Sequence, residues 1–174
     1  MQSGGAACRH FGASFVSCGV IAALYHGCPP GAARRLLRKL DYWSICYTSS
    51  VLRGAVGARA PRALGAAAAL ATPLKPILVI GCNLLAIEAR FVAAAVRHAA
   101  LRGALCRHAA AAAAGVAAFL MDDILVLEKG FAPVFHPAWH VLSSVSLALL
   151  SPLLVHCEGP PLLEGAQALI SGAP

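Results

Sequence analysis

The chain has 174 residues, 59% of them hydrophobic and only 12% charged, and a net charge of +7. A soluble domain is roughly half apolar with about 25% charged residues, so this composition excludes an ordinary water-soluble globule and indicates a polytopic membrane protein. The basic residues fall in short clusters between apolar blocks, with no interleaved aromatics, which argues against nucleic acid as a partner.

The predicted fold is all-α, a transmembrane helix bundle of about six membrane-spanning helices over residues 10–157. Tails are expected at 1–9 and 158–174. The first apolar segment runs from about His10 to Cys28 and is stopped by Pro29-Pro30. The second covers about Leu40 to Val56. A third, short one covers about Ala63 to Thr72, and a fourth about Pro76 to Val96. Together the third and fourth are too long for one crossing of a ~30 Å core at ~1.5 Å per residue. The prolines of Pro73-Leu74-Lys75-Pro76 supply the break. The fifth spans about Leu105 to Leu127 and the sixth about Pro133 to Val155. Beyond Pro160 a modest apolar run, Leu162 to Ile170, suits an interface.

Seven cysteines are scattered mostly through apolar blocks with no CxxC pair, as small buried hydrophobes would be. Met1 to Cys8 lacks a basic n-region, so no cleaved signal peptide is expected. Arginines 9, 53, 59, 62, 97, 102 and 107 would lie on the N-terminal side. Arg34, Arg35, Arg38, Lys39, Lys75 and Lys129 would lie on the other, a slight lean toward a cytoplasmic N-terminus.

The most informative residues are His136 and His140, in Phe135-His136-Pro137-Ala138-Trp139-His140, where the last segment begins. Four residues apart on a helix they share a face and are able to hold one metal ion. With six crossings, the first segment ends, the second begins, the fifth ends and the sixth begins at one membrane face. Those positions carry His26, Asp41, Asp122 with Asp123, and His136 with His140. The convergence holds only if the number of crossings between the first and the last segment is even. Catalytic zinc takes three protein ligands and keeps one position open. His26, His136 and His140 supply three nitrogens, Asp41 a general base, and Asp122 or Asp123 a carboxylate to orient an imidazole.

Each residue also has a plainer reading. A lone histidine at a helix end, such as His10, His98, His108 or His156, suits the membrane interface. Pro137-Ala138 excludes the HExxH zinc-protease pattern, so His136/His140 alone fits an incidental pair equally well. Asp41 fits an N-cap of the second helix, and Asp122-Asp123 a solvated helix end. Ser49, Ser50, Ser143, Ser144 and Ser146 fit helix packing. Trp43 and Trp139 sit at segment beginnings, as interface aromatics do. There is no glycine-rich phosphate loop and no GxSxG elbow.

The order of these residues resembles a known superfamily. A helix ends in Tyr25-His26, a basic loop leads to Leu40-Asp41-Tyr42-Trp43-Ser44-Ile45, and a last helix opens with His136-x-x-x-His140. This pattern is similar to the CREST group of seven-helix membrane proteins: alkaline ceramidases, progestin/adipoQ receptors, Per1 lipid-remodelling proteins and the myomaker-like branch, whose segment lengths it resembles. The resemblance covers about residues 10 to 157, the family's helices two to seven. It implies zinc held by His26, His136 and His140, with Asp41 beside the attacking water, and in the ceramidase branch hydrolysis of a lipid amide. Two departures stand out. Ala22 occupies the place, four residues before the first histidine, where the family usually has serine. The family's first helix has no counterpart, which implies either a start trimmed at Met1 or a member with six helices. A membrane lipid is then the expected substrate or ligand. The alternative is a non-enzymatic membrane-organising, fusion or receptor-like protein with a structural metal site. A third reading is a degenerate fragment with no function of its own.

Overall fold

The computed structural model describes residues 4–58, 62–122 and 135–158. These are helical throughout apart from short connections, and no strand occurs among them. The all-α expectation is met by α1 (Gly4–Gly27), α2 (Ala32–Ala55), α3 (Arg62–Ala71), α4 (Pro76–Arg97), a 3₁₀ turn (Ala99–Leu101), α5 (Arg102–Asp122), α6 (Phe135–Ala148) and α7 (Ser151–Glu158). Among the described residues, three helical stretches are long and apolar enough to cross a membrane: Pro76–Arg97, Ala99–Met121 and Phe135–Cys157. The chain is a helical membrane protein by that measure.

Several boundaries differ from the sequence expectation, each for a local reason. Residues 4–9, expected as tail, already belong to α1. The second helix starts at Ala32, not at Leu40. The intervening Arg34, Arg35, Leu36, Leu37, Arg38 and Lys39 are all good helix formers, so the helix forms through residues too charged to enter the apolar core. The last segment is not one uninterrupted helix. Pro152 has no N–H to give to the carbonyl four residues earlier, and the chain tightens before it, Leu150 N donating to Leu147 O at 3.1 Å. α7 then restarts with that proline in its first turn, where an N–H is not needed. α3 has ten residues, a rise of about 15 Å, or half a bilayer core. Asp123, Lys129, Pro133 and the run 162–170 lie outside the described residues.

The chain divides into two compact units, 1–90 with 156–174 and 91–155. In the first, α1 lies along α2. Its buried apolar residues include Cys46, Leu52, Val56, Val79 and Ile87. Polar groups are buried among them and paired. Thr48 Oγ1 donates to the Ser14 carbonyl at 3.1 Å. Asn83 Nδ2 donates to Ser49 Oγ at 3.0 Å and to Ser50 Oγ at 2.8 Å. With no water in an apolar core to satisfy them, such groups act as ties between helices. Gly57, at φ 74°, makes the turn after α2 in a left-handed conformation that suits glycine, and Arg90 Nε donates to the Val56 carbonyl beside it.

In the second unit α5 lies along α6. The two backbones approach closely at Gly115, where an added Cβ would stand 3.5 Å from Leu142 Cβ and from Ser143 Oγ. Small residues at such a crossing allow tight packing without a large apolar side chain. Phe91, Ala94, Ala95, Leu101, Ala104 and Ala118 are buried here. His108, expected at the interface, is instead buried at 2% exposure. Its Nδ1 lies 2.9 Å from the Ser146 carbonyl and 3.0 Å from Ser146 Oγ, with the Phe91 ring 5.5 Å away centre to centre. Of the cysteines only Cys46 is buried, and Cys82 and Cys106 are exposed.

Candidate metal centre

His26 closes α1. The helix stops because Pro29 and Pro30 have no N–H to continue it, and Cys28 N turns back to the Tyr25 carbonyl at 3.3 Å. A histidine in the last turn also suits the negative end of the helix dipole. The His26 ring packs against Tyr25 at 4.6 Å between centroids, and the Arg34 guanidinium lies 5.5 Å over the same tyrosine.

His136 and His140 open α6. Pro137 is tolerated because it falls in the first turn, where backbone N–H groups have no intrahelical partner. One helical turn apart, the two imidazoles meet edge to face, with centroids 4.9 Å apart. Trp139 contacts both, at 5.3 Å from His136 and 4.4 Å from His140. Phe119 of α5 packs on Trp139 at 5.3 Å. The pair is therefore half-buried and steadied by aromatic rings rather than left on a polar surface.

One candidate ligand nitrogen from each of His26, His136 and His140 lies within 4.8 Å of the other two. In tetrahedral coordination, nitrogens at about 2.1 Å from one ion stand about 3.4 Å apart. The cluster is able to hold a metal ion, and its all-imidazole donor set suits a first-row transition metal rather than Mg²⁺ or Ca²⁺.

Asp41 is not one of the clustered residues. It lies in the third turn of α2 at 6% exposure, so the capping role open to it in the sequence is gone: Gly31 precedes the first turn. The Ser44 hydroxyl donates to the Asp41 carbonyl at 2.8 Å and lies 3.3 Å from Cys18 Sγ of α1. Ala22 offers no hydroxyl one turn before His26. Ser17 does not replace it, since its hydroxyl is turned onto the Ala13 carbonyl of its own helix at 2.9 Å. Asp122 ends α5.

No family model, curated protein or solved structure matches this chain. What the centre can do follows from its donor set alone. Three neutral imidazoles satisfy the ligand count of a catalytic site and leave a position for water or substrate.

Sequence reading passed over two polar sites. Asn83 is the chain's single asparagine and falls inside an apolar segment, a position that is costly unless paired. That signal was available and leads to Ser49 and Ser50 of α2. His108 likewise falls inside an apolar segment, but its partner, Ser146 of α6, lies 38 residues away.

Proposed function

We propose that this chain is a membrane-embedded, zinc-dependent hydrolase of lipid amide or ester bonds, a divergent relative of the CREST superfamily. The observation that carries the proposal is the three-histidine cluster in a chain with three apolar spans. His26, His136 and His140 are the ligands. Zinc, when bound, supplies Lewis acidity for a carbonyl and brings the pKa of a coordinated water to about 7. Asp41 serves as general base, taking the proton of the attacking water and returning it to the leaving group. The half-buried His136/His140 pair, stiffened by Trp139 and Phe119, supplies a ligand pair that needs little reorganisation.

Metal content of the detergent-purified chain, followed by a hydrolysis screen on lipid amides and esters, tests the proposal. About one zinc per chain, absent from His136→Ala/His140→Ala, together with turnover that Asp41→Asn abolishes, is the expected result. Absence of zinc from the wild-type chain removes the enzymatic proposal. Ala22 favours a second reading, in which the metal is structural and the protein organises membranes or responds to a lipid ligand. That reading expects zinc without turnover, and a phenotype unchanged by Asp41→Asn.

A further inference from the structure

The second unit carries an apolar groove of about 360 Å³ between the end of α4 and the start of α5. Val92, Ala95, Val96, Leu105 and Cys106 line it, and Arg102 stands at its rim. Val92 and Val96 are 48% and 69% exposed. The stretches Pro76–Arg97 and Ala99–Met121 are both candidate spans. The turn between them, and with it the groove, therefore falls at a membrane boundary.

The charge around this turn is of one sign. Residues 89–121 contain no carboxylate, and Arg97, Arg102 and Arg107 fall within eleven residues. Arg102 is held in place: its Nε donates to the Ala95 carbonyl at 3.2 Å and its Nη2 approaches the Val96 carbonyl at 3.5 Å. Its remaining N–H groups are left for another acceptor. Arg107 folds back toward the turn, its Nη1 standing 3.7 Å from where a Cβ on Gly103 would be. A slot for a hydrocarbon chain is thus lined by one positioned guanidinium, with a second arginine, Arg107, five residues further along α5; guanidiniums suit phosphate oxygens better than ammonium groups do.

We infer that this groove binds an anionic phospholipid, one acyl chain along Val92, Val96 and Leu105 and the headgroup phosphate at Arg102 and Arg107. The occupant follows from the pairing of an apolar slot with cations at headgroup depth. A zwitterionic lipid offers the same phosphate but offsets it with its own ammonium, and a soluble anion would leave the slot empty. The site is separate from the three histidines and does not depend on hydrolysis.

Native mass spectrometry of the full chain in detergent, titrated with phosphatidylglycerol and with phosphatidylcholine of the same acyl chains, tests this. Each arginine near a headgroup is worth roughly fivefold in affinity. The wild type should therefore prefer phosphatidylglycerol by roughly 25-fold. Arg107→Gln should lose about fivefold of that, Arg102→Gln/Arg107→Gln nearly all of it, and Arg102→Lys an intermediate amount, because the charge stays while the planar fork is lost. Ala95→Phe, which fills the slot, should weaken both lipids. Circular dichroism identifies a variant that has lost its helices, and the Arg107→Gln result then decides. Equal binding of the two lipids by the wild type overturns the inference. So does a preference that survives the double substitution, or one lost only when Arg34, Arg35, Arg38 and Lys39 are changed to Gln.

Discussion

Thermal stability with and without zinc gives the most direct check on the three-histidine centre, because a ligand that binds only the folded chain raises its unfolding temperature by mass action. At free zinc one hundred times its dissociation constant, the gain is about 2.7 kcal/mol. For a chain of this length, 1 kcal/mol moves the midpoint by about 2–4 °C, so the wild type should gain about 5–10 °C. His26→Ala keeps the half-buried pair one turn apart on α6 but removes one of three nitrogens. Loss of groups that only orient a ligand already costs 10- to 100-fold in metal affinity, so loss of a ligand should cost at least ~100-fold. At the same zinc concentration the site is then half filled, and the gain drops to about 0.4 kcal/mol, or roughly 1 °C. His136→Ala/His140→Ala should show no gain. The assay is a thermal melt in detergent, followed by tryptophan emission or light scattering, with metal counted by atomic emission. An undiminished shift in His26→Ala would falsify the three-ligand assignment and leave α6 as a two-histidine site.

Other expectations are more local. Asp41→Asn should leave zinc content and melting temperature nearly unchanged while ending turnover of the responsive lipid; a parallel loss of folding would show that the carboxylate is structural. Asn83→Ala removes two side-chain hydrogen bonds in an apolar setting, each worth about 0.6 kcal/mol, so a stability loss of about 1–2 kcal/mol is expected in a denaturation titration. A double-mutant cycle with Ser49→Ala should return a coupling near 0.6 kcal/mol, and zero coupling would refute the pairing. At Gly115, alanine should be accepted because its Cβ meets neighbours at ordinary contact distance. Gly115→Leu should part α5 from α6 and lower the melting temperature, and equal stability of the two variants would contradict the close approach.

How much was legible in the sequence depended on how local the signal was. Pro29-Pro30 and Pro76 mark helix boundaries through the backbone alone, and α1 and α4 end and begin where they predict. Hydropathy does not mark the start of α2, whereas helix propensity does. A run of Arg, Leu and Lys satisfies the second and fails the first. The break before Pro152 was likewise present in the residues but hidden by the even apolarity around it. For the site, the spacing of His136 and His140 is set by one helix turn, so the sequence suffices. The addition of His26 rests on an even number of crossings, and that count turns on α3, a helix of half the required length. The partners of His108 and Asn83 lie 38 and 34 residues away, so a local pattern flags Asn83 as costly without naming what satisfies it.

The ring contacts at the start of α6 also make the centre its own optical probe. The chain has two tryptophans, and one of them, Trp139, touches both imidazoles of the pair. An open-shell ion such as Cu²⁺ or Co²⁺, seated on those nitrogens, lies close enough to drain the excited indole before it emits. With Trp43→Phe removing the background, occupancy becomes visible as darkening of a single fluorophore, with no label attached to the chain.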